Sequence, residues 1–173
     1  MLQVMSAQTN TTFAARWQGR ARVAEAMVLM SLASAARACL PMRRWSSVFG
    51  SVHAVPASWS QQPIANMPVR AANGHEAAVS WAVHRGVRWL PGNPTCLAQA
   101  AAAQVMLRRR NSAAVVVIGL RRTPPDAWEA HAWLLGSRGA LVGGPAADGF
   151  EPTMVFSVDT GLAPEDVLLN PGA

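Results

Sequence analysis

Two side chains in this sequence have the type and setting that thiol chemistry needs. Cys96 lies in "PGNPTCLAQAAAAQVMLRRR" (91–110), between a turn-forming run and an alanine-rich helical pattern, and His131 lies in "EAHAWLL" (129–135). Asn93 followed by Pro94 suits a helix start, with Asn as the cap and Pro as the first helical residue; Thr95 is the alternative cap. Either register leaves Cys96 in the first turn, beside unpaired backbone N–H groups and the positive end of the helix dipole. That setting favours the thiolate at neutral pH. The competing reading is a small buried residue at a helix–sheet contact, and position alone favours it. A nucleophilic thiol needs a base, and His131 on a predicted strand would be held rigidly toward one face. Gln99 follows Cys96 by one helical turn on the same face. A packing hydrogen bond is its expected role, and support of an oxyanion the alternative.

The remaining candidates are weaker. His75 and His84 are nine residues apart, which is not the i, i+4 spacing of a helical ligand pair, so no metal site is expected. Cys39 and Cys96 form no CxxC pair, and two cysteines make no disulfide framework; a reducing, cytoplasmic setting is the simpler reading. The net charge of +6 comes from arginine alone, scattered in pairs and triplets. Without reader motifs or interleaved aromatics, nucleic acid is not the expected partner. Arg16, Arg20 and Arg22 precede the apolar run "AMVLMSLASAA" (26–36), which resembles a secretion signal, but Glu25 abuts the run and the positive region is too long. The run ends at Arg37, well short of the roughly 20 residues that span a bilayer.

These residues need elements to hold them. A flexible arm (1–19) is expected to lead into a helical region (20–50), with one helix from about Gln18 to Leu40 ended by Pro41, and a shorter piece around Arg43 to Phe49. A long connection (51–74), rich in Pro and polar residues, separates it from a core (75–160) and a C-terminal tail (161–173). Within the core, "HEAAVSWAVHRGVRWL" (75–90) has helical spacing and precedes the Cys96 helix. "AAVVVIGL" (113–120) is a β-branched run that reads as a strand buried on both faces, followed by strands at 128–135, 139–144 and 153–158. Helices first and an antiparallel meander afterwards make an α+β domain.

The ordered blocks "PTCLAQAAAAQVMLRRR", "AAVVVIGLRR", "AHAWLL" and "ALVGG", with the upstream "RVAEAMVLMSLASAARACLPMRRW", resemble the lasso-peptide B proteins, transglutaminase-like leader peptidases of the microcin-processing type. The resemblance runs over roughly residues 20 to 158. It implies a transglutaminase-like, papain-like cysteine protease fold, with a catalytic helix packed on an antiparallel sheet. It further implies a stand-alone cysteine peptidase that removes the leader from a ribosomally made precursor, with no cofactor. Cys96 would be the nucleophile and His131 the base. The partners would be the precursor's leader segment, a separate leader-binding protein and an asparagine-synthetase-like lasso cyclase. Trp17, Met30, Met42 and Trp45 are candidates for a docking face, with core packing as the alternative for each.

The family pattern also asks for a carboxylate that orients the histidine. A hairpin folded about Ser137 and Arg138 sets residues 143–145 opposite His131, and these are Gly143, Gly144 and Pro145. Asp148 is the nearest candidate to swing back to His131 Nδ1, a turn role being its alternative, with Asp159 next. This departure leaves two further readings open: a non-catalytic scaffold that presents the precursor to the cyclase, and another acyl-transfer enzyme of the same fold.

Overall fold

A computed structural model describes residues 2–57, 59, 71, 73–136 and 138–158, with side chains from residue 16 onward. Helix α1 spans Leu2–Cys39 and stops before Pro41, whose ring cannot continue a helix. Residues 2–19, expected as a loose arm, continue this helix. The segment contains no proline and no glycine before Gly19, and extending an existing helix needs no new nucleus. A short helix α2 (Met42–Trp45) runs into a 3-10 turn, Ser46–Phe49.

Strand β1 (Ser51–His53) lies inside the segment expected as a connection; three residues are too few to give a period-2 signal. Helix α3 (Gly74–Val87) begins at Asn73, whose side chain accepts from the N–H groups of His75 and Glu76. Helix α4 (Cys96–Arg108) begins at Thr95, so Thr95 rather than Asn93 is the cap. Asn93 is instead in the left-handed region, with φ 43°.

Four strands follow: β2 (Val115–Thr123), β3 (Ala127–Gly136), β4 (Gly139–Val142) and β5 (Glu151–Ser157). All pairings are antiparallel, in the order β1-β5-β2-β3-β4. The expected meander therefore holds only for β2, β3 and β4. The last strand returns across the sheet to lie beside β2, which is Greek-key order. The β-branched run does lie centrally and is buried on both faces. Val116 and Ile118 face one core with Ala132, Leu134 and Phe156; Val115 and Val117 face another with Trp133, Leu135 and Val155.

Helix α4 packs on the first of these faces through alanine. Ala98 and Ala100 to Ala103 are all buried, with Met106 and Leu107 filling the space toward the C-terminal end. Small side chains let the helix axis approach both the sheet and α1 closely. From α1, Val23, Ala26 and Met30 are buried at helical spacing, so one face of the apolar run of 26–36 enters the core while Val28 and Leu32 on the other are exposed. Met30 and Trp45, weighed as docking residues, are likewise buried, Met42 is half-buried, and only Trp17 of that set is exposed. Four helices against a five-stranded antiparallel sheet give the expected α+β architecture.

Candidate active site

Cys96 is the first residue of α4, and Thr95 Oγ1 accepts from Ala98 N–H at 3.4 Å to close the first turn. The loop before the helix is tied to it by Gln99, whose Nε2 donates to the Pro94 carbonyl at 2.8 Å. Gln99 thus takes the packing role, and its amide is engaged with the loop.

His131 lies on β3 where β4 has stopped pairing. The β3–β4 ladder covers only Leu134, Leu135 and Gly136, so the edge of β3 at Ala132 is left to the N-terminus of α4. Cys96 fills that gap. Its sulfur is hydrogen-bonded to the His131 ring and to the backbone N–H groups of Ala132 and Leu97. Burial pushes the thiol pKa up. The His131 hydrogen bond, the Ala132 N–H, the imidazolium charge and the Leu97 N–H together outweigh burial and bring it below its ordinary value. His131 moves the other way. The hydrogen bond to Cys96 raises it, burial opposes this, and the Gly143 carbonyl and the sulfur's charge add to the rise. Arg121, on the neighbouring strand β2, opposes it, its charge shared with Glu129 at 2.6 Å. Both shifts favour the thiolate–imidazolium pair.

The group that orients the imidazole is a backbone carbonyl. His131 Nε2 lies 2.9 Å from the Gly143 oxygen, and an oxygen without a proton can only accept, so Nε2 carries hydrogen. Nδ1 is left as the nitrogen that faces Cys96 and exchanges its proton. The turn is possible because Gly143 has φ +77°, which swings its carbonyl out of the β4 line. A Cβ there would stand 2.8 Å from the Ala132 oxygen and 3.3 Å from His131 Nε2. Trp133 stacks beside the ring at 5.8 Å between centroids and Phe150 lies against it at 5.2 Å.

Asp148 is not brought to this site. Its side chain is exposed, its backbone carbonyl accepts from Arg121 at 3.3 Å, and it does not contribute to the raised pKa of His131. The expected Nδ1–carboxylate contact is replaced by an Nε2–carbonyl contact, and Asp159 lies outside the described residues. The roles of Gly143, Ala132 and Leu97 are main-chain roles that residue types do not announce. The Gly143-Gly144 pair, where a carboxylate was expected, was the only hint.

His84 Nδ1 bonds the Ser80 carbonyl at 2.7 Å within its own helix. Among the described residues, no three His, Cys, Asp or Glu side chains converge as metal ligands, and no helix is long and apolar enough to cross a membrane.

A thiolate at a helix start, bonded to a histidine on a neighbouring strand, is equipped to attack a carbonyl carbon and hold the acyl group as a thioester. Residues 36–155 match the model of the transglutaminase-like superfamily, and the chain belongs to that family. The match begins near the end of α1 and takes in every later helix and strand up to β5. No curated protein and no solved structure matches the chain.

Proposed function

We propose that this member of the transglutaminase-like superfamily is a cysteine peptidase that removes the leader from a ribosomally made lasso-peptide precursor before a separate cyclase closes the ring. The observation that carries the reading is the Cys96–His131 pair, whose opposed pKa shifts both favour the reactive ion pair. The order of sequence blocks around that pair supplies the substrate class.

In this mechanism the Cys96 thiolate attacks the carbonyl carbon of the last leader residue, and the carbonyl electrons move to oxygen. The first-turn N–H of Cys96, which no earlier helical carbonyl can take, is the nearest oxyanion donor. Collapse of the intermediate breaks the C–N bond while imidazolium Nδ1–H passes its proton to the leaving amine. Water then attacks the thioester as Nδ1 takes its proton. The leader leaves as a carboxylic acid and Cys96 returns as thiolate. Throughout, Nε2–H stays on the Gly143 carbonyl and fixes the ring's tautomer. A neutral carbonyl stabilises the imidazolium less than a carboxylate does, so the third member here is mainly an orienting group.

The test incubates precursor, the separate leader-binding protein and this chain, and records intact masses. Cleavage into leader and core peptides that disappears in Cys96→Ala is expected. Undiminished cleavage by that variant overturns the assignment, and a product in which an added amine replaces the free carboxylate identifies an acyl transferase instead. A precursor passed intact to the cyclase would identify a scaffold.

A further inference from the structure

We infer that the groove between α1 and α3 is a docking site for an acidic, apolar segment of a peptide, gripped well away from Cys96. The two helices run in the same direction, Gly19 lying against Trp81 and Met27 and Met30 against Gly86. Around the middle of α1 they leave a groove of about 670 Å³. Its apolar lining includes Val23 and Met27 of α1, and Trp81 and Trp89 stand in it from the α3 side. Both indoles are more than half exposed, at 52% and 59%, which is unusual for a side chain of that size. Arg16, Arg20 and Arg85 also line it, and among the described residues no carboxylate does. The nearby acid on α1, Glu25, is committed to Arg109 and Arg110 at 3.2 and 2.7 Å.

Charge complementarity selects the occupant. An apolar lining with guanidinium groups that meet no carboxylate among the described residues fits carboxylates interspersed with apolar side chains. Nucleic acid fits less well. Arg85 already lies over the Trp89 ring at 5.3 Å, so that face is not free for a base. The other arginines do not form the continuous track that a phosphate backbone follows.

The groove is remote from the thiol. Helix α4 runs antiparallel to α1, with Arg109 and Arg110 beside Glu25 while Ala101 and Ala102 share a cleft with Leu32 and Ala36. Cys96 therefore lies toward the C-terminal end of α1, and at a rise of 1.5 Å per residue the groove is about 20 Å away. An extended chain covers that span with about six residues. The proposal deepens the peptidase reading by giving the chemistry of a substrate segment held away from the cut, and it rests on that reading only in calling the peptide a substrate.

The test measures fluorescence anisotropy of labelled synthetic peptides on the full chain. The probes are Glu-Glu-Leu repeats, Gln-Gln-Leu repeats of equal length, and single-stranded oligothymidylate. The acidic peptide is expected to bind the protein, to bind Cys96→Ala equally well, and to bind Arg20→Glu/Arg85→Glu about tenfold or more weakly. Both arginines are exposed, and an unchanged Tm for the double variant keeps the comparison clean. Equal binding of the neutral peptide, undiminished binding by the double variant, tighter binding of the oligonucleotide, or no binding at all overturns the proposal. Binding with no precursor cleavage keeps the groove and removes the peptidase reading; cleavage without groove binding does the reverse.

Discussion

At the scale of single residues, the candidate site is built from two side chains and three main-chain groups. The side chains are legible in the sequence because cysteine and histidine are chemically distinctive and the helix-start pattern around Cys96 is local. The Ala132 and Leu97 N–H groups and the Gly143 carbonyl are not legible, since any residue carries such groups and only the fold aims them. The pair's pH behaviour follows from the directions of its shifts. Cys96 ionises below its ordinary value and His131 deprotonates above its own, so each shift raises the share of the ion pair near neutral pH. Iodoacetamide labelling of Cys96, read by mass, should begin below the free-thiol range, and His131→Ala should move its onset upward. Hydrolysis should show an acid limb from Cys96 ionisation and an alkaline limb from loss of the imidazolium proton. A labelling onset in the ordinary thiol range would remove the pair. The orienting group has its own test. Gly143→Ala places a Cβ in strained backbone 2.8 Å from the Ala132 oxygen, and displacing the carbonyl should lower kcat by about tenfold or more. Asp148→Asn should turn over at the wild-type rate, because its carboxylate does not reach the ring.

At the scale of elements, the early end of β4 leaves the β3 edge open to Cys96, and the late return of β5 completes the sheet beside β2. Individual strands were legible from their β-branched runs, but the position of β5 beside β2 depends on a long-range pairing that no local pattern encodes. Gly119 marks that pairing. It sits at a register shift between β2 and β5, and a Cβ there would meet the Trp133 ring at 2.6 Å and the Glu151 carbonyl at 2.8 Å. Trp133 is fully buried and flanks His131, so crowding at Gly119 acts on the site through the indole. Gly119→Val should lower stability by about 1–3 kcal/mol, the usual range for overpacking, and should reduce labelling of Cys96 even below the unfolding transition. Unchanged stability, measured by urea unfolding, would mean the indole can move aside. The end of α1 was legible because a specific breaker, Pro41, stands there. The start of α1 was not, because nothing in the first residues forbids a helix and nothing strongly initiates one.

At the scale of the whole molecule, α1 is joined to the rest of the fold by packing and by one charged cluster. Arg110 donates to both the Met106 carbonyl, at 2.6 Å, and Glu25, at 2.7 Å, so one guanidinium closes α4 and ties it to α1. Arg109 adds a more exposed contact to the same carboxylate. Burial pushes the Glu25 carboxyl up, but the two arginines outweigh it and hold it below the ordinary carboxylate value. A depressed folded-state pKa contributes stability that is fully present above the unfolded value and is lost as pH falls through the folded one. Val23, Ala26 and Met30, the buried residues of this helix, lie on either side of Glu25 in sequence, so the cluster helps hold that packed face in place. Glu25→Gln should cost about 1 kcal/mol at neutral pH, near the upper end for a partly exposed pair because two cations share one anion. Wild type and variant should converge in stability at a pH below the depressed Glu25 value, where the carboxyl of the wild type is also neutral. A difference that persists at that pH would mean the side chain acts through packing, and the charged link between α1 and α4 would then have no measurable part in holding the helices together.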